Sequence, residues 1–261
     1  MEQAGTGNAM LRRLKAEQPW CIYCGGSNAG TTVDHMPPIS VFDLRRRPKG
    51  LEFLACQPCN SGARADEAVA ALISRTYPDV GDDARKEELK RLMRGAERHN
   101  PGLLRSMRPS YRQSKIAREF GGARLDALNL RVPRVQQALF RFAAKLCFAL
   151  HFHATRQIIP HAGGAAVYFF SNLSAARGRL PAELIELCGD PRTLAQGKQA
   201  VGQQFTYAST CDTEGTISAH FATFRLAFSL VLFAANNVEK LEITKSDKFF
   251  RPGFLRDAHS P

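Results

Sequence analysis

The chain lacks an apolar run long enough to cross a bilayer. Its most apolar stretch, 226–235, is about half the length that a membrane-spanning helix needs. A second stretch, 138–152, carries Arg141 and Lys145 at helical spacing and reads as an amphipathic core helix. No secretory signal is visible either, because Met1-Glu2-Gln3-Ala4-Gly5-Thr6-Gly7-Asn8 is polar and lacks an apolar segment. These absences predict a cytoplasmic protein with no membrane partner, in which disulfides are not the default use of cysteine. No internal repeat and no low-complexity tract is present. Acidic residues are in deficit: 24 Asp and Glu face 36 Lys and Arg, a formal charge of +12. Such an excess favours an anionic partner, and nucleic acid is the commonest one for a soluble chain.

The positive charge is concentrated. Residues 84–141 hold fifteen Lys/Arg against five Asp/Glu, which suggests contact with a phosphate backbone through a basic region at 85–141. No base-reading helix is recognisable there, and Tyr111 and Phe120 are too few for a stacking platform. The chain reads as α+β in three parts: an N-terminal module at 1–78, a basic helical or linker region at 79–132, and a small α+β domain at 133–261. Within the first part, 31–33 and 51–54 read as short strands, and a helical pattern begins at Asn60. A long helix is predicted over 133–153, opening on Pro133. Strands are predicted at 165–170, 204–208, 216–221 and 226–233, with a helix at 181–188 among them.

Four of the seven cysteines form two Cys-x-x-Cys pairs, Cys21/Cys24 and Cys56/Cys59. Two such knuckles about thirty residues apart are the arrangement expected of a tetrahedral four-cysteine zinc site. A region this short cannot build a core of its own, so the ion supplies folding free energy directly. Cys147, Cys188 and Cys211 stand alone and read as packed small hydrophobes. Between the knuckles, Asp34-His35 sits at the end of a predicted strand, and Asn60 follows the last cysteine at a helix start. Zinc would bring these two points together. Asp34 and Asn60 could then share a hard divalent cation through oxygen ligands. His35, on the opposite face of the strand, would be free to take a proton from water.

Cys21-Ile22-Tyr23-Cys24, Val33-Asp34-His35-Met36-Pro37-Pro38 and Leu54-Ala55-Cys56-Gln57-Pro58-Cys59-Asn60 together resemble the HNH endonuclease superfamily. The pattern is similar to its zinc-containing branch, which includes phage junction-resolving nucleases and many McrA-like proteins. The resemblance covers about a fifth of the chain. It implies a ββα-metal fold, hydrolysis of phosphodiester bonds, and DNA as the expected substrate. It also implies a structural Zn2+ on the four cysteines, a catalytic Mg2+ or other divalent cation on Asp34 and Asn60, and His35 as general base. Arg64 falls where the family often has a basic residue facing the scissile phosphate. One feature departs from the pattern. Family members commonly carry an asparagine in the second strand that holds the histidine loop, and about Leu51 stands there instead. That brace is then absent or supplied by another residue; Glu52 and Asp43 are candidates, neither of them favoured.

Asp66 and Glu67 are expected to act as favourable charges at the positive end of a helix. His99 reads as a solvated loop residue. His151 and His153 are two apart and do not share a helix face, so no second metal site is expected with His161. Two other readings of the chain remain: a zinc-knuckle nucleic-acid-binding or regulatory protein without catalysis, and an HNH toxin or defence effector.

Overall fold

The computed structural model describes residues 2–76, 83–108, 129–238 and 242–256. Of the basic helical or linker region expected at 79–132, the stretches 79–82 and 109–128 lie outside the described residues.

A helix, α1 (Glu2–Glu17), leads into a hairpin of β1 (Thr32–His35) and β2 (Glu52–Ala55), followed by α2 (Gln57–Gly62) and α3 (Arg64–Ile73). The hairpin is antiparallel and pairs Asp34 with Phe53 and His35 with Glu52. Next come α4 (Asp83–His99), α5 (Leu103–Ser106) and the 23-residue α6 (Pro133–Thr155). Pro133 sits in the first turn of α6, where its missing N–H costs nothing. The remaining chain supplies β3 (Gly164–Ser171), α7 (Asn172–Ala176), α8 (Ala182–Cys188), β4 (Ala195–Gln196), β5 (Gln199–Ala200), β6 (Thr206–Cys211), β7 (Ile217–Phe224), β8 (Phe228–Ala235) and β9 (Phe249–Phe250). Five of these strands form one sheet, ordered β6-β7-β8-β3-β9, with every pair antiparallel. The chain is thus mixed α and β, as its patterning predicts.

Helix α6 is the centre of the molecule. Residues from Phe142 to Phe152 are each buried, so the helix is enclosed on all sides rather than amphipathic. The sheet covers one side, where the Phe142 and Phe224 rings lie 5.5 Å apart. The hairpin and α3 cover the other, where Phe53 meets Phe152 edge-on at 6.1 Å. One buried cluster therefore runs from Cys21 to Leu255, with no gap at residue 133. Cys147 and Cys188 are packed as expected. Cys211 is exposed, because it ends β6 at the edge of the sheet. Among the described residues, no helix is long and apolar enough to cross a membrane.

Candidate metal centre and strand-end site

The two knuckles meet. Cys21, Cys24, Cys56 and Cys59 are all buried, with their sulfur atoms within 4.8 Å of one another. Tetrahedral coordination at about 2.3 Å per Zn–S bond needs sulfurs about 3.8 Å apart, so the four thiols can hold a metal ion and their spacing suits zinc. Gly25 and Gly26 turn the first knuckle with φ of 65° and 74°, a conformation that side chains resist. The Cys21 amide then donates to Asn28 O at 2.8 Å, and the Asn28 side chain donates to Cys24 Sγ at 3.3 Å. The crowded thiols split their proton affinities. Cys21, sharing its proton with Cys24, is pushed up to about 12, while hydrogen bonds from Cys21 and Cys59 hold Cys24 far below the thiol range.

The chain's C-terminal segment covers this centre. Gly253 N donates to Tyr23 O at 2.8 Å, and Arg141 Nη1 donates to Phe254 O at 2.9 Å. A Cβ on Gly62 would stand 2.1 Å from Leu255 O, so only glycine lets α2 and this segment touch.

Joining the knuckles brings β1 and α2 together, as the spacing predicts. Asn60, half-buried in α2, donates from Nδ2 to Thr32 Oγ1 at 3.0 Å. Thr32 is on the same face of β1 as Asp34. The next residue, His35, is exposed on the other face. Partial desolvation, then the Arg47 charge, holds His35 below its ordinary value. Arg64 opens α3 and is exposed.

Asp34 departs from its expected role. Its carboxylate is buried, with 4% exposure, and both oxygens are taken. Tyr23 Oη donates to Oδ2 at 2.5 Å, and the Lys145 ammonium donates to Oδ1 at 2.8 Å. Lys145 comes from the middle of α6 and also donates to Glu67 Oε1 at 2.5 Å. Burial alone would lower Lys145, but the Asp34 and Glu67 carboxylates outweigh it and raise the group above the usual lysine value. Burial lifts Glu67 to about 6 against the pull of Lys145, with Asp34 adding to the rise. The residues around Asp34 therefore do not fit a hydrated divalent cation, which needs open oxygens and room for water. Asp66 and Glu67 do lie in the first turn of α3, yet both also pair with α6, Asp66 with Arg141 at 2.9 Å. Their expected role as charges of the helix end alone is thus too weak a description. Arg141 and Lys145, four apart, share one face of α6 and meet these two acids together.

The loop behind His35 is held by a residue that the sequence did not single out. The Arg47 side chain is 3% exposed. Its nitrogens donate to Pro37 O at 2.8 Å, Met36 O at 3.1 Å, Gly50 O at 2.5 Å, Leu51 O at 3.3 Å and Pro48 O at 3.0 Å. A sixth bond, 3.1 Å long, joins it to Glu52, which also accepts from Gly50 N. Arg47 and Glu52 together hold the loop behind His35. Within that loop Leu44, Arg45 and Leu51 have φ of 51°, 58° and 57°, strained values for side chains that persist only under such constraint. Asp43 is tied elsewhere, by ion pairs with Arg75 and with Arg225 at 2.8 Å. The only signal for Arg47 was its place between the strands; inside Arg45-Arg46-Arg47 it reads as surface charge.

Four other described histidines bond elsewhere than at His35. His151 and His220 are buried and joined through Ser218, whose hydroxyl lies 2.8 Å from His151 Nδ1 and 2.9 Å from His220 Nε2. His153 reaches Tyr207 Oη at 3.4 Å, and His161 reaches Ser27 Oγ at 2.6 Å on the first knuckle. Comparison with protein-family models, curated proteins and solved structures found no match for this chain. The resemblance to HNH nucleases therefore rests on the motif residues and their arrangement.

Proposed function

We propose that the chain is an HNH-type nuclease, in which a zinc-tied ββα module hydrolyses phosphodiester bonds in nucleic acid, DNA foremost. The observation that carries this reading is the placement of His35. It is exposed at the end of β1 while its loop is held from behind by Arg47 and Glu52. A general base needs access to water and a fixed position, and this arrangement offers both. Held below its ordinary value, His35 is neutral at pH 7 and ready to accept the proton of an attacking water. Arg64, exposed at the start of α3, supplies positive charge for the attacked phosphate. Zinc on four thiolates has no open position and serves to hold the hairpin and α2 together. Lys90, Arg94 and Arg98, with Glu97 among them, surround a shallow, mainly apolar groove between α4 and Leu104 of α5, and it is their excess of positive charge that supports contact with a phosphate backbone. No step is assigned to a divalent cation, because the surroundings of Asp34 do not fit one.

A second reading, binding without cleavage, is favoured by that same enclosure of Asp34 by Lys145 and Tyr23. Zinc-loaded wild type and His35→Ala, each incubated with a labelled DNA duplex and an RNA of the same sequence, separate the two. The nuclease reading expects equal binding and product from wild type alone. Binding by both with no product supports the second reading, and equal cutting by both would overturn His35 as the base.

A further inference from the structure

The carboxylate at the end of β1 already has a cation, and it belongs to the chain. Lys145 Nζ lies 2.8 Å from Asp34 and 2.5 Å from Glu67, and 5.3 Å from the centre of the Tyr23 ring. Lys145 and Tyr23 have no exposed surface, and Asp34 has 4%. Two carboxylates converging here resemble part of the oxygen set that a hard cation takes, but the Lys145 ammonium already donates to both, and the Tyr23 hydroxyl takes the other Asp34 oxygen. Entry of a divalent ion would require Lys145 to leave. Its neighbours on α6, from Phe142 to Phe152, are all buried, so the ammonium would remain in the core with no partner.

We propose that Lys145 is a resident cation that takes the place of the divalent ion implied by the HNH resemblance, so that Asp34 and Glu67 bind neither Mg2+ nor Mn2+. Lys145 is then a positioning residue, holding the strand end that carries His35 against α3 and α6. This inference goes beyond the nuclease reading and does not rest on it. Its test reads metal content and not cleavage, so either can fail while the other stands.

The experiment is a Mn2+ titration of the zinc-loaded full chain, followed by electron paramagnetic resonance of the free ion. Mn2+ binds thiolate sites weakly and does not compete for the four cysteines. Wild type is expected to take up no Mn2+ into the millimolar range. Lys145→Met, which keeps the chain length and removes the charge, is expected to gain one equivalent and to lose it again when Asp34→Asn is added. One equivalent bound by wild type and lost in Asp34→Asn overturns the proposal. So does a Lys145→Met protein that retains its zinc and binds no Mn2+. If Lys145→Met fails to retain zinc, the wild-type titration with its Asp34→Asn control decides alone.

Discussion

Arg45 and Arg46 are exposed, while the Arg47 guanidinium beside them is buried among five carbonyl oxygens and Glu52. Removing it strands a buried carboxylate and frees a loop that contains three strained residues. Arg47→Ala is expected to cost about 3 kcal/mol, read from a urea denaturation midpoint. Arg47→Lys should recover little, because a single ammonium cannot span acceptors spread around a planar fork. His151 and His220 make a second prediction at this scale. Burial lowers His151 to about 4; burial, then the charges of His151 and His153, lowers His220 to about 3. Both are therefore neutral in the fold and protonate in the unfolded chain near 6.5. Their contribution is complete above that value and is lost as pH falls through 6.5 toward 4 and 3. Stability should decline by about 1.4 kcal/mol per pH unit for each histidine in this window. His220→Asn, neutral throughout, should flatten the decline measured by urea denaturation at several pH values. The motif residues Asp34, His35, Asn60 and the four cysteines, which the fold brings together, were legible as short motifs. Lys145 was not, because its partners are 111 and 78 positions away and only folding brings them near.

Most regular elements were legible, since period-two alternation in β7 and the β-rich composition of β3, β6 and β8 mark strands directly. The two-residue strands β4, β5 and β9 carry no period at all and could not be read. Helix α1 extends to Glu2–Glu17, where only the part from residue 10 has a clear pattern. The larger change concerns α6. Arg141 and Lys145 at helical spacing suggested a solvated stripe, but that stripe faces Asp66, Asp34 and Glu67 inside the molecule. A charged residue in an apolar helix marks either water or a buried partner, and spacing alone does not distinguish them. The knuckles give the prediction for elements. All four cysteines belong to the buried cluster that includes α6, so zinc loss should be felt beyond the hairpin. Cys59→Ser, or removal of zinc by a strong chelator, should lower the thermal midpoint by about 10 °C or more. An unchanged melting curve with zinc gone would show that the ion does not support the fold.

At the scale of the whole molecule, the N-terminal module is built into its neighbours. The loop after His35 is tied through Asp43 to Arg75, just after α3, and to Arg225 between β7 and β8. Leu44 N donates to Glu88 of α4 at 3.0 Å, so the middle region holds the same loop. The sequence divides the chain at 78 and 132, because composition changes there. The contacts that unite the parts are side-chain pairs and one enclosed helix, which leave no mark on local composition. The loop is thus tied to described residues after α3, in α4 and between β7 and β8, and the nuclease reading needs it held in place behind His35. The central claim is that His35 accepts the proton in phosphodiester cleavage. It is tested most directly by chemical rescue: cleavage of a labelled DNA duplex by zinc-loaded His35→Gly, with and without added imidazole. The account predicts that cleavage is lost in the variant and recovers in proportion to imidazole, while wild type does not respond. Cleavage unchanged in His35→Gly, or lost with no recovery in a folded, zinc-retaining protein, would contradict it.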